Sequence, residues 1–168
     1  LCGLGPEYDI GRQIDAFEGV LRDFPNAGLA LAGSGSERQA LERQIATKPY
    51  AAHVLLCGDV AHPVTLRAII ESAVLLRTTL YDGDALSVRE GLHYGTPVIA
   101  TDNGMRPAGV YLVPIGDEDS LQKAIVTIGR NPPARQTNSQ TDDRKLLAVL
   151  HIDEELSGKL PSSSENQQ

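Results

Sequence analysis

Five short apolar runs alternate with stretches of helical period, and that alternation limits the chain to an α/β architecture. The runs are residues 28–32 (Gly-Leu-Ala-Leu-Ala), 53–57, 74–76, 98–100 and 110–113. Three to five consecutive apolar residues, rather than apolar and polar in strict turn, suit strands covered on both faces, as in a parallel sheet. Between them lie helical signals. Ile14, Phe17, Val20, Leu21 and Phe24 recur at helical spacing until Pro25-Asn26 stops them. Ser36 is the expected cap of a helix over 37–47, Pro63 opens a helix reaching Ser72, a helix over 87–94 stops at Gly95, and Ser120 is the expected cap of a helix ending near Arg130. Strand and helix alternating over about a hundred residues predict a parallel, doubly wound sheet.

The 168 residues therefore divide into one α/β domain over 1–130, a Pro-, Gln-, Asn- and Ser-rich linker or mobile loop over 131–143, a C-terminal helix over 144–157 and a polar, disordered tail over 158–168. Leu146, Leu147, Leu150 and Ile152 supply the apolar side of that last helix. The chain begins at Leu1 without a methionine and with no signal pattern, which reads as a segment of a longer protein. No window approaches the roughly 18 apolar residues of a membrane span. With 22 Asp and Glu against 15 Lys and Arg the formal charge is −7. That argues against a broad nucleic-acid face, which needs clustered cations, but permits a small phosphate site built from backbone N–H groups. Cys2 and Cys57 lie in apolar runs and read as buried thiols of a reducing compartment.

Open α/β sheets bind ligands beyond the carboxyl ends of their strands. Three loops qualify: Gly33-Ser34-Gly35, Tyr81-Asp82-Gly83-Asp84 and Thr101-Asp102-Asn103-Gly104. The first lets a phosphate or sugar approach the backbone, or is simply a turn. In the second, Asp82 stands eight residues before Glu90, one carboxylate in the loop and the other a turn inside the following helix. Such carboxylates suit the vicinal hydroxyls of ribose or hexose; alternatively Glu90 only offsets the dipole of its own helix. His53, His62, His93 and His151 form no constellation and read as structural or surface residues, and no His, Asp and Glu cluster has metal-ligand spacing.

The stretch from Asp82 through Glu90 to Gly95-Thr96-Pro97-Val98-Ile99-Ala100 resembles the signature of family 4 (group 1) glycosyltransferases: an acidic residue, seven others, a glutamate, a helix of small residues and Gly-x-Pro-Val-Ile-Ala. Asp15-Ala16-Phe17 to Phe24-Pro25, and the loop from Gly33 to Glu37, are similar to that family's Ala-Phe helix and Gly-x-Gly-x-Glu loop. Residues 53–60 and 112–124 resemble its later segments in the same order. The likeness covers roughly residues 1–130. It implies a Rossmann-like doubly wound sheet, one half of a GT-B fold, namely the C-terminal half that holds a nucleotide-diphosphate sugar.

On that resemblance Glu90 binds the ribose, Asp82 contacts the donor sugar, and Gly83, Asp84, Ala85, Leu86 and Ser87 meet the sugar and diphosphate. Gly33, Ser34 and Gly35 line the donor, and Val60 lies against the base. The implied reaction is retaining transfer of a hexosyl group to a glycan or lipid-linked acceptor in polysaccharide assembly, with no cofactor and no metal. The acceptor-binding N-terminal domain lies outside this chain, which is then inactive by itself. Its place is the cytoplasm, with any contact with the inner membrane made through that other domain.

One departure bears on the chemistry. The family's Arg and Lys that neutralise the departing diphosphate fall at Gly3 and Tyr8, neither of them basic. Departure of a nucleoside diphosphate develops negative charge that cations normally stabilise. Arg77, directly after the third strand, and Arg106, after the strand that follows, are the replacements available; a strand-end arginine is equally a surface ion-pair partner. Asp82 is also one methylene shorter than the usual Glu. Two other readings stand beside this one. A degenerate, non-catalytic glycan- or protein-binding module accounts for Gly3 and Tyr8. A receiver or flavodoxin-like domain shares the sheet but needs a phosphate loop or acidic cluster that Gly3-Leu4-Gly5-Pro6 does not offer.

Overall fold

The computed structural model describes residues 4–81 and 85–134, and the backbone of 148–151. A 3-10 turn, Pro6–Tyr8, leads into α1 (Ile10–Asp23). There follow β1 (Gly28–Ala32), α2 (Arg38–Ala46), β2 (Val54–Gly58), α3 (His62–Glu71), β3 (Val74–Arg77), α4 (Leu86–His93), β4 (Val98–Thr101), β5 (Tyr111–Val113), α5 (Glu118–Arg130) and β6 (Ala148–His151). The strands form one sheet in the order β2-β1-β6-β3-β4-β5. All pairings are parallel.

Alternate residues of each strand enter opposite cores, as the period of two requires. Leu29 and Leu31 of β1, Leu76 of β3 and Ile99 of β4 pack with Ile14, Phe17 and Ile125 of α1 and α5. Ala32, Leu75 and Val98 face the other way, against Ile69 of α3 and Val88 of α4. The inner strands β1, β3 and β4 are thus covered on both faces, as their apolar runs predict, whereas the edge strands are not: Leu55 of β2 and Tyr111 and Leu112 of β5 are exposed. The helix α4 approaches especially closely at Gly91, where a Cβ would stand 2.7 Å from Val98 Cγ2 and 3.0 Å from Leu75 Cδ2.

Three expectations are corrected. Ala148–His151, inside the stretch read as a helix over 144–157, is a strand, pairing with Gly28–Leu31 on one side and with Val74 and Leu75 on the other. Three apolar residues, Ala148, Val149 and Leu150, carry no period that separates strand from helix, and two open parallel edges decide the matter. The remainder of 144–157, residues 135–143 of the linker and the tail over 158–168 lie outside the described residues. Ser36 does not cap α2, whose N-cap residue is Glu37 with no side-chain bond. Ser120 does not cap α5. Asp117 does, accepting from the Ser120 backbone N–H at 2.9 Å and from its hydroxyl at 2.6 Å. Those two bonds, the hydroxyl first, hold the Asp117 carboxyl below its ordinary pKa. Cys57 is half-buried and reduced, with burial pushing its thiol pKa up, while Cys2 lies outside the described residues.

Candidate functional site

Chain order turns back between β1 and β3: β2 extends the sheet outward from β1, while β4 and β5 extend it from β3, with β6 between the two halves. In a parallel sheet every carboxyl end lies at one edge, and this reversal opens the crevice where ligands bind. Residues 4–8 span it. The Leu4 N–H donates to Ser34 O at 3.1 Å, beyond β1, and the Glu37 N–H donates to Leu4 O at 2.9 Å. At the other side the Leu80 N–H donates to Glu7 O at 2.8 Å, and Thr78 Oγ1 donates to Tyr8 O at 2.7 Å. Gln13 of α1 secures the same hydroxyl, its Nε2 donating to Thr78 Oγ1 at 2.7 Å.

This stitching explains the Gly33-Ser34-Gly35 loop. Gly33 holds a φ of 132° that favours glycine. A Cβ on Gly35 would stand 2.6 Å from the Leu4 carbonyl carbon, so its missing side chain serves the chain's own backbone. The structure thus supplies an internal reason for Gly35 independent of any ligand.

Arg77 ends β3 and is only 3% exposed. Its guanidinium carbon lies 5.1 Å from the centroid of the Tyr8 ring, within cation–π range. Arg106 reaches back from the loop after β4. Its Nη2 donates to Thr79 Oγ1 at 2.6 Å and its Nε to Thr101 O at 3.2 Å. Thr101 Oγ1 in turn donates to Thr79 O at 2.5 Å. The chain therefore brings both arginines to the loop that follows β3. Asp82, Gly83 and Asp84 of that loop, and Gly3, lie outside the described residues.

The loop re-enters at Ala85, the N-cap residue of α4, which is buried together with Ser87 while Leu86 is exposed. Glu90, one turn into α4, has a side chain only 16% exposed, and its Oε1 lies 3.3 Å from His62 Nε2 at the start of α3. His62, read in the sequence as structural or surface, is thus an ion-pair partner of Glu90. The two stand 28 positions apart in different helices, and no local pattern signals the pairing. Together with Leu66, Arg89, His93 and Tyr94 they line an open cleft of about 450 Å³. Val60, in the loop between β2 and α3, is half-buried against the α3–α4 core, and its carbonyl accepts from Thr65 Oγ1 at 3.4 Å. A more apolar cavity of about 340 Å³ lies at the opposite edge, by Phe24, Pro25, Ala27 and Ala73, before β1 and β3 begin. It holds none of the candidate residues.

The family model for glycosyl transferases group 1 matches residues 7–131. The chain belongs to that family. It resembles the crystal structure of a point mutant of S. aureus TarM in complex with fondaparinux, α-GlcNAc-glycerol and UDP, with a TM-score of 0.69 and 21% identity. The likeness covers 76% of this chain and 27% of that one. A second crystal structure of TarM gives a TM-score of 0.68 at 21% identity over the same shares. At that identity the likeness shows the fold, and the chain spans about a quarter of the TarM chain's length. No curated protein sequence matches this chain. Among the described residues no helix is long and apolar enough to cross a membrane.

Proposed function

We propose that this group 1 glycosyltransferase chain is the donor-binding half of a retaining enzyme, holding a nucleotide-diphosphate sugar across the crevice between β1 and β3. The observation that carries the reading is Arg77, a buried cation within cation–π range of Tyr8 at the carboxyl edge of the sheet. Tyr8 is the position at which the family resemblance expects a lysine. The guanidinium from β3 brings positive charge to the same place by another route. Membership in the family and the UDP in the TarM complex support a nucleoside diphosphate as the ligand.

In this reading Glu90 accepts from the ribose hydroxyls, Val60 lies against the base, and Asp82 and the backbone of Gly83 to Ser87 address the sugar and diphosphate. The loop Gly33-Ser34-Gly35 borders the donor. During transfer the bond between the sugar's anomeric carbon and the diphosphate oxygen breaks, and its electron pair leaves on the diphosphate. The acceptor hydroxyl forms the new bond to that carbon and gives its proton to a diphosphate oxygen. Arg77 and Arg106 oppose the charge that appears on the leaving group, a contribution of several kcal/mol where water is excluded. The acceptor, a glycan or lipid-linked sugar, and a second domain that carries it complete the cleft. The transfer is hexosyl, serves polysaccharide assembly and takes place in the cytoplasm, with any contact with the inner membrane made by that second domain. Calorimetric titration of UDP, ADP and GDP into the chain tests the reading. Saturable binding that weakens in Arg77→Ala supports it. No binding of any of the three favours a non-catalytic module instead.

A further inference from the structure

We infer that Gln13 is a positioning residue for the diphosphate site, setting through the Thr78 hydroxyl the turn whose Tyr8 ring lies beside Arg77. The inference rests on the proposed role of Arg77 toward a nucleoside diphosphate and adds to it a residue of α1 that touches no ligand.

Gln13 stands where α1 is otherwise apolar. Ile10, Ile14, Phe17 and Val20 form the buried stripe of the helix, and Gln13 lies among them at 1% exposure. Burial fixes a long polar side chain at an entropic cost. Its amide is only half used. Nε2 donates to Thr78 Oγ1 at 2.7 Å, whereas Oε1, equally buried, accepts from no donor among the described residues. One bond between neutral groups contributes less than a stranded buried acceptor costs, so the amide adds no net stability where it stands.

What the amide does is direct a proton. A hydroxyl has one hydrogen and two acceptor positions. The Thr78 hydrogen goes to Tyr8 O at 2.7 Å, while the hydroxyl oxygen receives the Gln13 N–H. The reverse orientation of the amide would draw that hydrogen to Oε1 and away from Tyr8. A hydroxyl that accepts one bond also donates the next more strongly. The relay from Gln13 through Thr78 to Tyr8 thus ties α1 to both partners of the cation–π contact: Tyr8 receives the bond on its own carbonyl, and Thr78 directly follows Arg77 at the end of β3. Thr78 is 1% exposed and Arg77 3%, so water competes little with the relay.

The experiment titrates UDP, ADP and GDP into the wild-type chain, Arg77→Ala, Gln13→Met, Thr78→Val, Thr78→Ser and the double variant of Gln13→Met with Thr78→Val, alongside urea unfolding of each. Methionine keeps the shape of Gln13 without its amide, so Gln13→Met unfolds at the same urea concentration as wild type or at a higher one. It weakens nucleotide binding about threefold or more, as the loss of one neutral hydrogen bond implies. Thr78→Val weakens binding further, and adding Gln13→Met to it has no additional effect, because both act along one path. Thr78→Ser, which keeps the hydroxyl, retains most of the affinity that Thr78→Val loses. Wild-type affinity in Gln13→Met, with weaker binding in Arg77→Ala, overturns the positioning role and leaves the reading of Arg77 standing. Additive losses in the double variant overturn it too, as does a Gln13→Met chain that unfolds at clearly lower urea, since Gln13 then serves the fold. No saturable binding to the wild-type chain, or equal affinity in Arg77→Ala, defeats the reading of Arg77, and the role of Gln13 falls with it.

Discussion

The guanidinium of Arg77 lies over the ring of Tyr8, with 5.1 Å between its central carbon and the ring centroid. The contact joins the last residue of β3 to the turn that precedes α1, and so ties the two sides of the crevice together. At that distance the buried guanidinium is attracted by the face of the ring. Replacement by Ala is expected to weaken nucleoside diphosphate binding about 10-fold or more, as loss of bonds to a charged group implies. Arg77→Lys restores little of this, since an ammonium neither stacks nor forks in the same way. Titration calorimetry on variants with unchanged circular dichroism checks it. Equal affinity in all three proteins would show that Arg77 only braces Tyr8.

Arg106 is held to the loop after β3 through Thr79 and Thr101. Thr79→Val removes the hydroxyl that accepts from its Nη2 while keeping the side chain's shape. The expected cost is about 1 kcal/mol in urea unfolding, at the lower end for a bond to a charged donor because Arg106 is half-exposed. Arg106→Ala is expected to weaken diphosphate binding severalfold. A Thr79→Val protein as stable as wild type would mean that this bond adds nothing net to the fold.

Gly91 decides how closely α4 lies on the sheet. In an exposed helix interior, glycine to alanine gains up to about 1 kcal/mol from helix propensity. Here the added methyl meets Val98 and Leu75 in a packed core, and overpacking costs about 1–3 kcal/mol. Sterics outweigh propensity. Gly91→Ala is therefore expected to lower stability by a net of about 1 kcal/mol, and to weaken ligand binding because Glu90 is displaced with its helix. A stabilised variant in chemical denaturation would contradict the packing.

The cap of α5 gives a prediction with a pH sign. The bonds from Ser120 keep the Asp117 carboxyl below its ordinary pKa in the folded chain. A carboxyl with a lowered folded pKa contributes stability above its unfolded value, and loses it as pH falls through the folded one. Asp117→Ala is accordingly expected to melt at a lower temperature than wild type at neutral pH, with the gap closing at pH values below the ordinary carboxylate range. Thermal melts from pH 7 down to pH 3 measure it. A gap that stays constant over that range would assign the loss to something other than the ionised cap.

Much of this fold is legible in the sequence because parallel strands need cover on both faces. The run Gly28–Ala32 shows that requirement directly, and its residues divide between the two cores as alternation dictates. The order of the elements from α1 to α5 follows from punctuation by Pro25, Gly33, Gly58, Gly95 and Pro97. The place of β6 is not legible. So short an apolar run suits helix or strand equally, and the choice is made by the facing edges of β1 and β3, which are distant in sequence. Caps are misread for a related reason: Ser36 and Ser120 are good cap types, but a neighbouring Glu37 or Asp117 holds the required backbone position.

The site was legible in part. Glu90 stands out by its spacing from Asp82 and by resemblance, and Arg77 by its place at a strand end. Their partners, His62 and Tyr8, are set by packing between elements 28 and 69 positions away, which no local pattern carries. At Gly35 the missing side chain also makes room for the backbone of Leu4, which no local pattern signals.

We propose above all that this chain binds a nucleoside diphosphate with its ribose on Glu90. Calorimetric titration of UDP, ADP and GDP into the wild-type chain and Glu90→Gln tests it most directly. One-site binding of at least one of them is expected in the micromolar to millimolar range, roughly −4 to −8 kcal/mol, weakened about 10-fold or more by Glu90→Gln. Heats of dilution alone for all three ligands, or equal affinity in the two proteins, would contradict it.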